Sequence, residues 1–431
     1  MSLGEKGGRG SIQRIVVNYS ANLRILKEIV KGSKLPVDDY DHHDFLAPKQ
    51  LNRQCLGRES FDALVDQFVH QSNTKRRGLG QLEQFRLHWD YILLNLSQSI
   101  FRKHWLSISL DNNAYGPKGD YWLRKYAFSL TAIKDIVSYL EANDLIHKKT
   151  GKLYKNDPAR TRIFPKPVLE EMLWHYFLDI EQPIKPPYVT INEGRSGWNT
   201  TVKGLKKDHP DRKDLKAINN FLKGHHWACK APVRLVYNQT ALQGGRLITP
   251  FQGLPDRTYR VRINTLIDGE PIAEVDFNAN HLRLNLAVVS RENAGDTPYE
   301  DIGEVAGVED RDSIKKVITV AMGASNEGEA RSSLSRKGLG KVLVDKIIAG
   351  TQKRYPKLQL FTEWGLSAQN LEGQILKEVM LRGIEKDIVC LPVHDAVAVT
   401  QGNAEWARET MLQVWAEQTG GGRTKVKVDM P

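Results

Sequence analysis

The sequence predicts an α+β fold, with a basic, helix-rich front part and a C-terminal part in which an antiparallel sheet is flanked by helices. Three observations carry this. Segments at 82–103 and 129–141 place apolar residues at helical spacing. Short β-rich runs at 272–275 and on both sides of 393–395 are bounded by acidic or turn residues. The charge is divided: residues 1–250 carry a net +14 and residues 251–431 a net −3, within an overall +11.

A chain of 431 residues, 40% apolar and 26% charged, is globular and long enough for two or three domains. No apolar run reaches the roughly 18 residues of a spanning helix. The opening MSLGEKGGRGSIQR has no apolar core like a signal peptide's. Cys55, Cys229 and Cys390 stand too far apart for a disulfide framework or a Cys-based zinc site. These features fit a cytoplasmic protein. The basic front half points to an anionic polymer, nucleic acid before membrane.

Residues 1–80 read as mixed helix and loop. Within them PVDDYDHHDF (36–45) clusters Asp and His, read as a solvated acidic loop with metal binding as the alternative. LEQFRLHWDYILLNLSQSIFRK (82–103) reads as one long amphipathic helix. Ser129 is placed to cap a helix with Leu130, Ile133, Val137 and Leu140 on its apolar face. Thr131, Lys134, Asp135 and Ser138 face outward, and AND (142–144) stops it. LIHKK and RTRIFP, joined by a polar turn, then read as a two-stranded basic ribbon.

This helix and ribbon over 81–180 resemble the winged helix-turn-helix of plasmid and phage replication initiators. The resemblance implies a helix presented to the major groove by way of Lys134, with Lys148, Lys149, Arg160 and Arg162 on phosphates. A winged helix used for protein contacts is the alternative. The Lys-rich stretch 201–230 reads as a linker or a helical element near nucleic acid.

The C-terminal part carries the chemistry. In EPIAEVDFNANHLRLNLAVVS (270–290), a buried strand leads to Asp276. Asn278 is placed to cap a helix with Leu282, Leu286 and Val289 on one face. In EDRDSIKKVITVAMGASNEGEARSSL (309–334), Arg311 and Lys315 are four apart on one helix face, which suits a polyphosphate, and Met322 follows on that face. In KDIVCLPVHDAVAVT (386–400), two apolar runs flank His394-Asp395, a hairpin with the acid at its turn. Asp276 and Asp395, brought together, are a donor pair for two metal ions about 3.5–4 Å apart.

The order of these motifs resembles the palm and fingers of family A DNA polymerases and their single-subunit RNA polymerase relatives, over roughly 240–405. DFNANHLR (276–283) is similar to the family's DYSQIELR. Arg311 and Lys315 match its R-x3-K, and VHDA its HD strand. GGRLITPFQGLP (244–255) is similar to the segment that holds the template–primer duplex. Gln369, ahead of ILKEVM, also fits. The resemblance implies Asp276 and Asp395 as ligands of two Mg2+ ions, with Mn2+ able to substitute. It implies Arg311 and Lys315 on the incoming triphosphate, and His394 at the primer terminus. Arg246 and Gln369 would lie on the template–primer. His281 stands where the family places a Glu that excludes a 2′-hydroxyl, and Met322 where it places a stacking aromatic, one residue early. A bulky His leans toward deoxynucleotides. Asp179-Ile180-Glu181 is a lone D-x-E and implies no exonuclease domain.

The expectation is a minimal DNA polymerase that extends a primer in replication of a plasmid, phage or integrated element. Its partners are DNA template and primer and nucleoside triphosphates, not a membrane. Residues 181–240 would be a basic linker or reduced thumb, and 241–431 palm and fingers. The rivals are a primase or RNA polymerase starting chains de novo, a silent palm acting as a replication initiator, and a regulator whose C-terminal half dimerises.

Overall fold

The computed structural model describes residues 22–30, 35–38, 43–52, 55, 57–75, 77–117, 119–151, 153–154, 157–158, 160–193 and 201–431. Parts of the 36–45 acidic loop and of the turn in the basic ribbon lie outside them.

In the front part, helices α1 (Arg58–Ser72), α2 (Leu79–Arg102) and α3 (Leu130–Ala142) pack beside a four-stranded sheet. Its strands are β1 (His43–Phe45), β2 (Trp105–Ile108), β3 (Ile146–Lys149) and β4 (Thr161–Pro165), in the order β1-β2-β4-β3. α2 is the long helix expected at 82–103, and it buries Phe85, Trp89, Ile92, Leu93 and Leu96. Ser129 caps α3 by accepting from the Ala132 amide at 3.3 Å, and Ile133, Val137 and Leu140 are buried. β3 and β4 pair antiparallel, His147 opposite Phe164 and Lys149 opposite Arg162.

Residues 181–193 and 201–240 are folded into structure. β5 (Val189–Glu193), β6 (Thr201–Gly204), β7 (Arg234–Asn238) and β8 (Thr240–Ile248) form a sheet in the order β6-β5-β7-β8. Helix α4 (Pro210–Lys223) buries Leu215, Ile218 and Leu222 and turns its lysines outward. Its Asp211 binds buried Lys377 and the Tyr237 hydroxyl, which docks it on the C-terminal part.

In the C-terminal part, β9 (Glu270–Phe277) is the hub of an antiparallel sheet. The helices are α5 (Asn280–Asn285), α6 (Pro298–Ala306), α7 (Arg311–Gly323), α8 (Glu327–Arg336), α9 (Lys341–Arg354) and α10 (Trp364–Glu385). The hairpin β10 (Leu391–Val393) and β11 (Ala396–Thr400) follows, then α11 (Ala404–Thr419) and β12 (Val426–Asp429). β11 and β12 flank β9 on opposite sides. Strand and helix content bears out the α+β expectation. One apolar cluster runs from Leu26 to Trp415 and joins the front part to the sheet. A second, from Leu282 to Leu358, lies among α5 to α9.

Two local readings are corrected. Asn278 does not cap a helix. α5 begins after Ala279, which is left-handed (φ 51°), and no side chain caps it. The Asn278 carbonyl instead accepts from Arg283 Nε at 2.9 Å. Val289 is not on the buried face: it is 37% exposed. The helix widens to a π-turn over Leu286–Ser290, so the 3.6-residue period that placed Val289 below Leu286 stops there.

Candidate functional site

The site is assembled by strand register. Val393 pairs with Ala396, so His394 and Asp395 form a two-residue turn, with His394 left-handed at φ 54°. Ala396 also pairs with Asp276, and the Phe277 amide reaches the Asp395 carbonyl at 3.5 Å. Two aspartates 119 positions apart in sequence are thus brought together, one on β9 and one in the turn ahead of β11. On the other side of β9, Asp276 lies opposite Lys427 of β12.

The carboxylates are electrostatically mismatched. Asp276 is open to solvent and Asp395 half-buried, yet protein surrounds both on the remaining sides. Burial is the main cause that pushes Asp395 up to about 7, with Asp276 and Glu372 adding repulsion. Burial likewise pushes Asp276 up to about 6, with Lys315 and Lys427 opposing and Glu274 and Glu372 reinforcing. Both carboxyls therefore bind a proton more tightly than a free aspartate does.

Glu372 and its neighbours belong to this candidate site, and sequence reasoning missed them. Glu372 is 4% exposed on α10. Its Oε2 accepts from Asn280 Nδ2 and from His281 Nε2, each at 3.1 Å. Asn280 Oδ1 in turn accepts from Trp415 Nε1 at 3.1 Å. This relay holds His281 beside the aspartates. Gln369, expected on the template–primer, is half-buried about a turn earlier on α10. A second missed pair is Arg262 with Glu274: Nε to Oε1 is 2.6 Å and Nη2 to Oε2 is 3.0 Å. Arg262 also donates to the carbonyls of Gln252 and Leu254. That ties the GGRLITPFQGLP segment to the strand that bears Asp276.

Cations rim the site. His394 is exposed, and burial together with Arg262, Arg246 and Arg257 holds its imidazole below its ordinary value. Arg246 is exposed on β8, and Lys315 is exposed on α7. Arg311, one turn before Lys315, stacks 5.3 Å over Tyr299 and pairs with Glu300 at 2.7 Å.

Met322 is placed otherwise than expected. It is 1% exposed, inside the α5–α9 cluster. The chain after α9 closes over the end of α7, the Phe361 amide bonding the Ala321 carbonyl at 2.6 Å and the Glu363 amide that of Ala324 at 3.0 Å. No face of Met322 remains for a ligand.

The residues expected on DNA phosphates are mostly engaged with the protein's own carboxylates. Arg162, 8% exposed, clasps Asp38 at 2.6 and 2.8 Å. Lys149 holds the same carboxylate at 2.9 Å. Arg160 pairs with Asp120 at 2.8 Å and Lys148 with Glu141. Each would have to release its acid before it met a phosphate. Lys134 is exposed on the outer face of α3. In the 36–45 segment, Asp38 and His43 pair at 3.3 Å, and Asp44 takes Arg102 and His104.

Among the described residues no group of three or more His, Cys, Asp and Glu is set to hold a metal ion, and no helix is long and apolar enough to cross a membrane. Cys55, Cys229 and Cys390 are free thiols. No protein-family model and no curated protein matches the chain. Among solved structures, the POL domain of Pol1 from M. smegmatis, in complex with DNA primer-template and dNTP, is similar over 95% of this chain and 68% of that one, at 12% identity and a TM-score of 0.28. At those values the likeness defines neither fold nor family.

Proposed function

We propose that the chain is a metal-dependent, template-directed nucleotidyltransferase, a minimal DNA polymerase that extends a primer. The observation that carries this reading is the Asp276–Asp395 pair. Burial raises the proton affinity of both carboxylates, and Asp276 raises that of Asp395 further, among exposed cations. The donor set fits Mg2+ or Mn2+, which are commonly held by one or two carboxylates with substrate phosphates completing the shell. Bound there, the ions would supply charge neutralisation and activation of a 3′-hydroxyl.

The chain's own residues do the rest. Lys315 and Arg311 face an incoming triphosphate, and Arg311 exchanges Glu300 for phosphate. His394 stays neutral under its arginine neighbours, so it can accept a hydrogen bond from the strand terminus without adding charge. Arg246 meets the strand backbone from β8. His281, fixed by Glu372, stands near the sugar and disfavours a 2′-hydroxyl.

The test is primer extension on a defined template, with dNTPs or NTPs, in Mg2+ or Mn2+. Templated extension with dNTPs, lost in Asp276→Asn and Asp395→Asn, is expected. Extension only with NTPs and without primer would replace this reading by a primase. No incorporation under any of these conditions would leave a silent palm.

A further inference from the structure

On the face between the front part and the second sheet, three cations converge, and among the described residues no carboxylate pairs with Lys125 or Arg234. The short helix Tyr121–Lys125 opens with Asp120, which accepts from the amides of Trp122 and Leu123 and gives its other oxygen to Arg160. That acid is therefore spent. Lys125 Nζ lies 5.5, 5.0 and 5.9 Å from the ring centroids of Tyr121, Trp122 and Tyr126. The Arg234 guanidinium, from β7, lies 5.7 Å over Trp122. Lys185 lies 5.9 Å over Tyr126, whose hydroxyl accepts from the Lys185 amide at 2.9 Å. Trp122 and Tyr126 are nearly parallel, 12° apart with centroids separated by 6.3 Å.

Among the described residues Lys125 Nζ and Arg234 Nε are buried from solvent with no hydrogen-bond partner, so a phosphate meets them only as these side chains turn outward. No carboxylate is among the groups that perturb either cation. Burial, then Arg234 and Lys185, pushes the Lys125 ammonium down to about 8. Cation–π contact softens such crowding and does not neutralise it. Gathering like charges without a counter-ion costs stability unless an anion completes the cluster.

We infer that Lys125, Arg234 and Lys185 with Trp122 and Tyr126 form a binding site for a single-stranded nucleic acid, phosphates on the cations and a base against the rings. An acidic peptide would satisfy the charges and leave the half-exposed rings unused. A duplex keeps its base faces stacked inside, whereas a single strand offers phosphate and base together. The inference does not rest on the Asp276–Asp395 reading.

The test is fluorescence anisotropy of labelled oligo-dT on the full chain, without divalent ions, over a range of NaCl. Trp122→Leu is expected to weaken binding about tenfold at unchanged salt slope. Lys125→Gln with Arg234→Gln is expected to flatten the slope by about 1.4, roughly 0.7 per lost single-strand contact. Lys185→Glu, at an exposed position, keeps the test valid if the buried variants unfold, and is expected to weaken binding at low salt. Wild-type affinity and slope in both Lys185→Glu and a folded Trp122→Leu would overturn the proposal. So would equal competition by duplex, or displacement by millimolar inorganic phosphate. Failure of the catalytic reading looks different: no primer extension, with oligo-dT binding intact.

Discussion

Asp38, in the chain beside the front sheet, and Asp395, at the hairpin turn, are both aspartates set against antiparallel strands, and burial raises the proton affinity of both. Their neighbours decide the outcome. Around Asp38, bonds from Arg162 come first, joined by Lys149 and His43, and hold its carboxyl well below the usual range. Around Asp395, Asp276 and Glu372 add to burial, and the carboxyl rises to about 7. The first region is complete in itself, so its charges serve the fold. The second lacks positive charge that a ligand could bring. Electrostatic mismatch of this kind marks functional sites more often than neutralised ion pairs do.

Four measurements press on that contrast. The largest effect belongs to Asp276→Asn and Asp395→Asn. Each should lower primer extension by about a thousandfold or more, with DNA affinity nearly unchanged, since charge stabilisation at a reacting phosphate is lost. Residual extension near wild type in both would place the chemistry elsewhere.

Next is Asp38→Asn, which strands a nearly buried guanidinium. A loss of about 2 kcal/mol of local stability is expected at pH 7, read as faster amide exchange in β3 and β4. Because the folded carboxyl titrates below its unfolded value, its contribution is full above about pH 4 and fades as pH falls further. A front sheet indifferent to this change would show that the clasp is ornamental.

Asp395→Asn should act with the opposite sign. The raised carboxyls bind a proton more tightly folded than unfolded, so the strain is absent below about pH 4 and complete above about pH 7. Removing one charge should therefore stabilise the 391–400 hairpin at pH 7.5 by about 1–2 kcal/mol, allowing for the solvent that reaches the pair, and by nothing at pH 4. Mg2+ should protect the wild-type hairpin and leave the variant unchanged. Equal stability at both pH values would deny the repulsion.

The smallest effect is expected from His281→Ala, a severalfold rise in NTP use relative to dNTP use. A fall in both activities at constant ratio would make His281 a packing residue.

The parts legible in the sequence were those whose signal is local. Ser129 ahead of an apolar stripe, the Val275-Asp276 strand end, and β-rich runs flanking His394-Asp395 each carry their structure within a few residues. Glu372 was not legible. It sits mid-helix between Leu371 and Gly373, and its partner Asn280 is 92 positions away. Met322 misled because seven residues from Lys315 is nearly two turns of an isolated helix, and helix geometry says nothing about the 358–363 segment that covers it. The ion pairs of Arg160 and Arg162 were not legible because their acids, Asp120 and Asp38, are 40 and 124 positions upstream. The Lys125 cluster combines a short helix with Lys185 and Arg234, and no spacing rule joins those three.

Where α10 crosses β8, a methyl group on Gly373 would lie 1.8 Å from the Gly245 carbonyl oxygen, and Gly245 itself is left-handed at φ 82°. Backbone rests on backbone there, with no side chain between to act as a bearing. The helix that carries Glu372 and the strand that carries Arg246 can therefore neither slide nor roll past one another. Any opening or closing of this molecule around a strand must carry them as one rigid body, with the hinge displaced to the chain on either side.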